Sequence, residues 1–369
     1  MKKFSTRTTW GIVLLFFTRG AAAFHCRTTL HPRAWAFQSQ PSTVPASNTN
    51  TNYIQRTIRI HHLPSSSIKD SETSQTNESN LGDNRDEESL TEQGYTDRFG
   101  GIGRLYNSNS LASEVVMERL RQATVVVVGI GGVGSWAAEA LCRSGIGNLV
   151  LIDLDDICIS NTNRQLHATT SGIGQMKIEV MKKRLLDIHP ACNVTLVHDF
   201  VNEENTLDIL ENIGPITALV DAIDGSTGKS ALLGTCADLS IPVVTCGGAA
   251  GRRDPFQIIC GDLVDVEDDR LLASCRRILR KNYGFPAGLS ASQQRLTKKR
   301  MKKWRIPCVY TREAPPSKSS QDQSSASSFR LCDGSLGTAC FVTGTYGFAA
   351  ASIIVNMIAE NNLLPPRKA

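Results

Sequence analysis

A run of glycines directly after an apolar segment carries the clearest chemistry in this sequence. Val125–Val128 consists of four β-branched residues with no turn former, which predicts a parallel strand buried on both faces. A GxGxxG string follows at once and leads into a predicted helix that begins at Ser135. Such glycines permit a tight turn and let a phosphate approach the backbone, while the helix N-terminus offers free N–H groups. The pattern predicts a nucleotide-binding turn whose glycines are Gly129, Gly131, Gly132 and Gly134.

Charged and polar residues after the next strand narrow the ligand class. Asp153 ends a predicted strand at the distance expected of an acid that binds ribose hydroxyls. The glycine string and this acid alone would also fit a nicotinamide dehydrogenase, which stays open as an alternative. The residues that follow have side chains suited to phosphate or its counter-ions: Asp155, Asn161, Arg164 and Lys177. Arginine and lysine so close behind the ribose acid favour a nucleoside triphosphate, because its phosphates carry dispersed negative charge.

The elements that must position these side chains alternate between strand and helix. Further strands are predicted at 194–197, 216–220, 242–245 and 256–259. Helices are predicted at 175–188, 207–213 and 226–239. This order predicts an α/β fold of the Rossmann-like, doubly wound type, with a mainly parallel sheet and helices on both faces. Ligands of such folds bind at the carboxyl ends of the strands.

The segment 340–358 is almost uncharged and predicts a long helix. Its length alone would allow it to span a membrane. Because Gly344, Gly347 and Asn356 interrupt its apolar character, membrane association is not favoured and a helix buried against the sheet is expected.

Composition limits the function classes. The chain has 369 residues, and its 11 cysteines include no CxxC pair, so no zinc site is expected. The net charge of +5 is small, and any nucleic-acid affinity must come from local clusters. One such cluster spans Arg276–Arg305, which holds eleven Lys and Arg residues and no acid. It predicts a surface for a phosphate backbone, with a solvated cationic surface as the alternative.

The N-terminal region has the composition of a targeting sequence. Residues 1–23 show the charged, apolar and small-residue order of a signal peptide, and residues 24–90 lack acids at first and then become polar and acidic. We interpret residues 24–90 as a transit peptide with a disordered linker, and residues 91–369 as the catalytic domain. The Ala23-Phe24 junction resembles the bipartite presequences of plastid proteins in algae with secondary plastids, so a plastid location is expected. A mitochondrial presequence or a plain secretory signal is the alternative.

Several strings resemble the family that includes the ubiquitin-activating and sulfur-carrier-activating adenylyltransferases. They lie at 98–101, 129–136, 153–165, 221–224 and 247–254. Within that family, the RFGG string at 98–101 and the helix sequence after the glycine turn are most similar to the branch that dehydrates threonylcarbamoyladenosine in tRNA. Without this resemblance, residues 98–106 would be a surface loop with two incidental arginines.

The resemblance implies a role for each matching position. Gly132 would let the phosphates lie against backbone, and Asp153 would hold the ribose. Asn161 and Arg164 would bind phosphates, and Lys177 would neutralise the α-phosphate during attack. The remaining implied residues are Asp224 as the Mg²⁺ ligand, Arg104 as an arginine that crosses a homodimer into the partner's site, and Cys308 as either a catalytic or a simply buried cysteine.

The activity implied by the resemblance is ATP-dependent cyclisation. The carboxylate of the modified base would be adenylated, and a nearby nitrogen of the same group would then displace AMP and close a ring. The implied cofactors are ATP and Mg²⁺, and the implied partner is the anticodon arm of tRNA, with a sulfur-transfer protein left open. The alternative is an activating adenylyltransferase for a ubiquitin-like or sulfur-carrier protein.

Overall fold

The sheet is built from seven strands in the order β3-β2-β1-β4-β5-β7-β6. The structure, a computed structural model, describes residues 91–107, 109–286, 302–314 and 337–368. The predicted presequence and linker therefore lie outside the described residues. The strands are β1 (Thr124–Val128), β2 (Asn148–Ile152), β3 (Asn193–Val197), β4 (Ala218–Asp221), β5 (Val243–Cys246), β6 (Ile258–Asp262) and β7 (Pro307–Thr311).

Among the described residues, two α-helices come before β1, and six more each come after one of the strands. They are α1 (Glu92–Tyr106), α2 (Ser110–Gln122), α3 (Gly134–Arg143), α4 (Lys177–Ile188), α5 (Thr206–Ile213), α6 (Ser226–Asp238), α7 (Arg270–Asn282) and α8 (Cys340–Ala359). All strand pairs are parallel except β6 with β7. The predicted fold class is confirmed.

The two faces of the sheet bury separate cores because successive strand side chains point to opposite sides. Val125 and Val127 of β1 belong to a core shared with α2, α3, α4 and α8. Val126 and Val128 belong to the other core, which is shared with α5, α6 and α7. Helices therefore cover both faces, and the order of strands reverses between β1 and β4. A doubly wound sheet binds its ligand at such a reversal.

The segment that contains the RFGG string is a helix rather than a surface loop. Tyr95 and Phe99 bury their rings, and the Tyr95 hydroxyl donates to the carbonyl oxygens of Met117 (3.1 Å) and Gly145 (2.7 Å). Gly103 allows α1 to approach α2, because a Cβ there would lie 2.3 Å from Ser113 Oγ. Tertiary packing thus stabilises a helix whose glycines predict little helicity.

Helix α8 lies in the core, as expected for the segment 340–358. Among the described residues it is the one helix long and apolar enough to cross a membrane. Its side chains Val342, Tyr346 and Ile354 are nevertheless buried against the sheet and α3. Gly347 permits this contact, because a Cβ there would lie 2.6 Å from the carbonyl oxygen of Val133. The core-helix prediction is confirmed.

Candidate functional site

A cavity of about 920 Å³ opens at the carboxyl ends of β1, β2, β4 and β5. This volume is at the upper end of the range for small-molecule sites. Its lining includes most of the residues predicted from the sequence to form the site: Gly129, Gly131, Gly132, Asp153, Asp155, Asn161, Arg164, Lys177 and Asp224. Residues that are far apart in the sequence therefore meet in one site.

The glycine turn is shaped by two close approaches. Gly129 has φ of +84°, a conformation that favours glycine, and a Cβ there would lie 3.0 Å from the carbonyl oxygen of Ala222. Gly134 opens α3, and a Cβ there would collide with the carbonyl oxygen of Gly129 at 1.9 Å. Gly134 does not line the cavity. Its part in nucleotide binding stays a prediction, and the close approach shows that Gly134 lets the helix start next to the turn.

Asp153 is held in place by the backbone around it. Its Oδ2 accepts a hydrogen bond from Ile130 N at 2.6 Å, and its Oδ1 accepts one from Asp155 N at 2.8 Å. Burial raises the pKa of Asp153, whereas Lys177 and the two N–H groups favour the ionised form. Each carboxylate oxygen keeps acceptor capacity beyond these bonds, so the side chain is suited to ribose hydroxyls.

Lys177 is the first residue of α4 and forms an ion pair at the cavity. Its Nζ lies 2.6 Å from Asp155 Oδ2, with 7% of the lysine side chain and 52% of the aspartate side chain exposed. The helix N-terminus adds the positive end of its dipole at the same place. A buried ammonium whose partner is half in solvent can exchange that partner for a phosphate oxygen. The arrangement is therefore able to neutralise charge on a bound anion.

The segment that carries Asn161 and Arg164 is fixed by contacts from α3 and α8. Trp136 Nε1 and Thr343 Oγ1 each donate to the carbonyl oxygen of Arg164 at 3.1 Å. Asn161 is buried, and its Oδ1 accepts from Cys158 N at 3.0 Å. Since that oxygen caps a short helical turn, only the amide nitrogen of Asn161 is suited to a phosphate. Trp136 and Thr343 are positioning residues that the sequence analysis missed.

Asp224 places a carboxylate at the rim of the cavity, after the end of β4. It is exposed and lines the same space as the glycine turn. Over the described ranges, no three or more His, Cys, Asp or Glu side chains form a group that could hold a metal ion. Any metal here would need ligands from a bound phosphate as well.

Two predicted catalytic residues are not brought to this cavity. Arg104 lies in the last turn of α1, is exposed, and does not line the cavity of its own chain. Cys308 on β7 is fully buried, and its Sγ donates to the carbonyl oxygen of Gly261 at 3.3 Å. Burial raises the pKa of the Cys308 thiol, and a protonated thiol is a poor nucleophile. The catalytic alternative for Cys308 is therefore corrected, and the residue belongs to the core.

His167 forms a hydrogen bond to the backbone of the glycine turn and was not identified from the sequence. It is 2% exposed, and its Nε2 lies 2.7 Å from the carbonyl oxygen of Ile130. That bond requires the tautomer with hydrogen on Nε2, and the buried Nδ1 has no partner among the described residues. Burial lowers the pKa of His167 to about 4. The ring is thus neutral near pH 7 and stays a donor to the turn.

The low pKa of His167 predicts a loss of stability in acid. The unfolded chain binds a proton to this histidine near pH 6.5, and the folded chain does so only near pH 4, so stability falls as the pH drops through that window. The contribution at pH 5 is about 2 kcal/mol. Urea unfolding of wild type and His167→Gln at pH 7 and pH 5 measures it. The difference in unfolding free energy between wild type and His167→Gln should be smaller at pH 5 than at pH 7. An equal difference at both pH values would contradict the prediction.

Comparison with known proteins places this geometry in a family. The model of the ThiF family matches residues 103–358. The chain is similar to the tRNA threonylcarbamoyladenosine dehydratase of Haemophilus influenzae, with 43% identity over 266 residues that cover 72% of this chain and 95% of that protein. For the enzyme of the same name from Escherichia coli, the identity is 40% over 262 residues, which cover 69% of this chain and 91% of that protein.

A solved structure shows the same fold. The crystal structure of the Escherichia coli tRNA N6-threonylcarbamoyladenosine dehydratase TcdA in complex with ATP matches with a TM-score of 0.61 and 36% identity. The match covers 74% of this chain and 97% of the crystallised chain. The glycine turn, the cavity at the strand ends and these similarities lead to one conclusion: the chain belongs to the ThiF family.

Proposed function

We propose that this protein is an ATP-dependent tRNA threonylcarbamoyladenosine dehydratase, which adenylates the carboxylate of the modified base and cyclises it. The observation that carries this proposal is the cavity in which Asp153, Arg164 and Lys177 meet the glycine turn. Two bacterial relatives named for this activity match over 95% and 91% of their length, and the Escherichia coli enzyme is solved with ATP.

The chain supplies positioning and charge to the first step. Asp153 holds the ribose, the backbone of the glycine turn takes the phosphates, and Lys177 and Arg164 neutralise the charge that develops as the substrate carboxylate attacks the α-phosphate. A carboxylate has no good leaving group until it becomes an acyl adenylate with release of pyrophosphate. Such a step depends mainly on orientation and electrostatic stabilisation rather than on a general base.

Ring closure then needs no further reagent. A nitrogen of the threonylcarbamoyl group attacks the activated carbonyl carbon, and the C–O bond to AMP breaks. The net change is loss of one water from the base, driven by cleavage of ATP to AMP and pyrophosphate. A closed site serves this step, because water would otherwise hydrolyse the adenylate.

The cavity fits a magnesium ion that arrives with ATP. Magnesium is usually held by one or two carboxylates together with substrate phosphates, and Asp224 offers one carboxylate at the rim. When bound there, the ion would screen the negative charge of the phosphates.

The activity is tested directly with tRNA that carries threonylcarbamoyladenosine. Purified protein with ATP should release pyrophosphate and convert the nucleoside to a product that has lost one water, as measured by mass spectrometry. The alternative, activation of a small carrier protein, predicts ATP–pyrophosphate exchange that depends on the carrier and not on tRNA. This alternative would use the thiol of Cys308, which is buried in the core and does not reach the site. A sulfur-transfer partner remains a separate proposal, tested by co-purification.

We also propose a homodimer in which Arg104 enters the partner's cavity. The side chains of Leu105, Leu111 and Val115 on α1 and α2 are 75%, 72% and 51% exposed, which leaves apolar surface beside Arg104. An interface there would cover it, and the exposed guanidinium could then extend into a neighbouring cavity.

The dimer predicts complementation between two inactive variants. When Arg104→Ala and Lys177→Ala proteins exchange subunits, half of the dimers are hybrids and each hybrid has one intact site, so about a quarter of the wild-type activity should return. Pyrophosphate release after confirmed exchange measures it. If activity stays at the level of the separate variants, Arg104 does not act across an interface.

We place tRNA on the basic surface formed by α7 and the segment 302–305. Arg277, Lys281 and Lys302 are exposed there, whereas Arg276 and Arg280 donate to the carbonyl oxygens of Leu263 and Pro286. Two of the three aromatic residues of this region do not face the solvent, and the third, Tyr283, is half-buried. Phe285 and Trp304 are buried, with ring centroids 4.8 Å apart, so base stacking on them is not expected.

Neutralising Lys298, Lys299, Arg300, Lys302 and Lys303 together should weaken tRNA binding and flatten its salt dependence. The first three lie outside the described residues. For every phosphate that the surface no longer neutralises, the log–log salt slope should fall by roughly 0.7 to 0.9. Titrations of tRNA at several salt concentrations measure both effects, and ATP titration is the control because the phosphate ligands lie elsewhere. If the tRNA affinity and its salt slope are both unchanged in this variant, the basic surface does not bind tRNA.

A plastid location is proposed from residues 1–90, whose order of charged, apolar and acid-free segments fits a bipartite presequence. A fluorescent fusion of residues 1–90 tests it, and accumulation in mitochondria would favour the alternative.

A further inference from the structure

Arg252 is a buried cation without hydrogen-bond partners at two of its nitrogens. The residue is 5% exposed, and neither Nε nor Nη1 has a partner among the described residues. A charged group is costly to bury unless an opposite charge or hydrogen bonds compensate it. We therefore expect this guanidinium to bind an anion when the protein binds its substrates.

Arg252 lies close in the chain to the wall of the nucleotide cavity, although it is not one of the lining residues. The cavity is lined by residues 247–250, and Arg252 follows two residues later. Gly251 N donates to the carbonyl oxygen of Gly337 at 2.8 Å, so Arg252 and Thr338 each directly follow a residue of this hydrogen-bonded pair. Thr338 lines the cavity, and its buried Oγ1 also has no partner within the described chain. Thr338 Oγ1 at the cavity wall and two nitrogens of Arg252, whose backbone lies beside that of Thr338, are thus donors without partners among the described residues.

The acidic group near Arg252 does not satisfy these donors. Glu313 Oε2 accepts hydrogen bonds from Arg253 N and Asp254 N, both at 2.9 Å. These two bonds lower the pKa of Glu313, with smaller effects from the charges of Arg252 and Arg253. Tyr346, which also senses the charge of Arg252, has its pKa raised mainly by burial. Neither side chain is a hydrogen-bond acceptor for Nε or Nη1 of Arg252.

We propose that Arg252 and Thr338 form a subsite that binds the carboxylate of the second substrate and orients it toward the α-phosphate. This inference rests on the proposed function. The phosphates already have the glycine turn, Arg164 and Lys177, whereas the attacking carboxylate has no cation assigned to it. The planar donors of arginine match the geometry of a carboxylate. The other anion that the same subsite could bind is the polyphosphate of ATP.

The test compares Arg252→Gln with Arg253→Gln, which removes the same charge from an exposed neighbour. We expect Arg252→Gln to lower kcat/KM for tRNA by about 10- to 100-fold, as for the loss of a charged hydrogen bond, and to leave the KM for ATP within about twofold. Its Tm should stay equal or rise, because an uncompensated buried charge is removed. Arg253→Gln should change none of these values by more than about twofold. Arg252→Lys should recover part of the tRNA kinetics.

Other outcomes overturn the inference. A higher KM for ATP with unchanged tRNA kinetics would assign the subsite to the polyphosphate, and a lower Tm with a uniform loss of activity would assign Arg252 a structural role. If wild type does not act on tRNA, the proposed function fails, and a thermal-shift measurement with N-carbamoyl-L-threonine then decides the subsite alone. A rise in Tm for wild type but not for Arg252→Gln supports it. Equal shifts, or none in either protein, reject it.

Discussion

Replacing Lys177 with alanine is expected to lower pyrophosphate release by about 10²- to 10³-fold, the usual effect of removing one charge-stabilising group from an active site. The Lys177 ammonium is buried at the cavity wall and held by Asp155 at 2.6 Å. In the reaction it would face the α-phosphate, where negative charge builds up during attack. The loss should appear in kcat, because the interaction is strongest in the transition state.

The fold should survive this change, because the Asp155 side chain left behind is 52% exposed and can be hydrated. Lys183→Ala is the matched control, since Lys183 is an exposed lysine on the same helix. Steady-state pyrophosphate release at saturating ATP and tRNA, together with Tm, measures both variants. Wild-type turnover in Lys177→Ala would contradict the assignment of the site.

The largest expected loss of stability comes from Lys229→Met. Lys229 and Asp221 are both fully buried, with Lys229 Nζ 2.8 Å from Asp221 Oδ2, and Thr245 Oγ1 donates to the same oxygen at 2.6 Å. Removing the lysine leaves a buried carboxylate without its counter-ion, which typically costs about 3–5 kcal/mol. Urea unfolding at neutral pH measures this loss.

A second substitution separates the effect of the unpaired charge from the effect of altered packing. In the double variant Asp221→Asn with Lys229→Met, the amide group of asparagine can still bond to Thr245 and to Ile223 N, which donates to Asp221 Oδ1 at 3.1 Å. Replacing both charges by neutral groups is often nearly neutral for stability. The double variant should therefore recover more than half of the loss. Equal losses in both variants would show that packing, not charge, explains the effect.

Local patterns predicted the elements that carry strong signals of their own. Four valines predicted β1, and the apolar spacing before Pro190 predicted a helix at 175–188, which the structure shows as Lys177–Ile188. The helix predicted at 340–358 extends to Ala359. These segments have apolar periodicities and end signals that depend on near neighbours in the chain.

Other elements depended on contacts that sequence patterns do not contain. The helical state of α1 rests on packing of Tyr95 and Phe99 and on a close approach at Gly103. Strand β7 inserts between β5 and β6, parallel to one and antiparallel to the other. Its five residues lie far from both partners in the sequence, and no local signal selects that position.

The sequence by itself determined the type of fold and indicated residues that the structure brings together in one cavity. The glycine string, Asp153 and the cations behind it follow strand ends, and parallel strands bring their carboxyl ends to one edge. Only the tertiary structure decided how each side chain is used. Packing buries Cys308 in the core, holds His167 in the tautomer that donates to the Ile130 carbonyl oxygen, and leaves two nitrogens of the buried Arg252 without partners among the described residues. The physical reason is that solvent exclusion and hydrogen-bond partners depend on residues distant in the chain, whereas strand and helix periodicity does not.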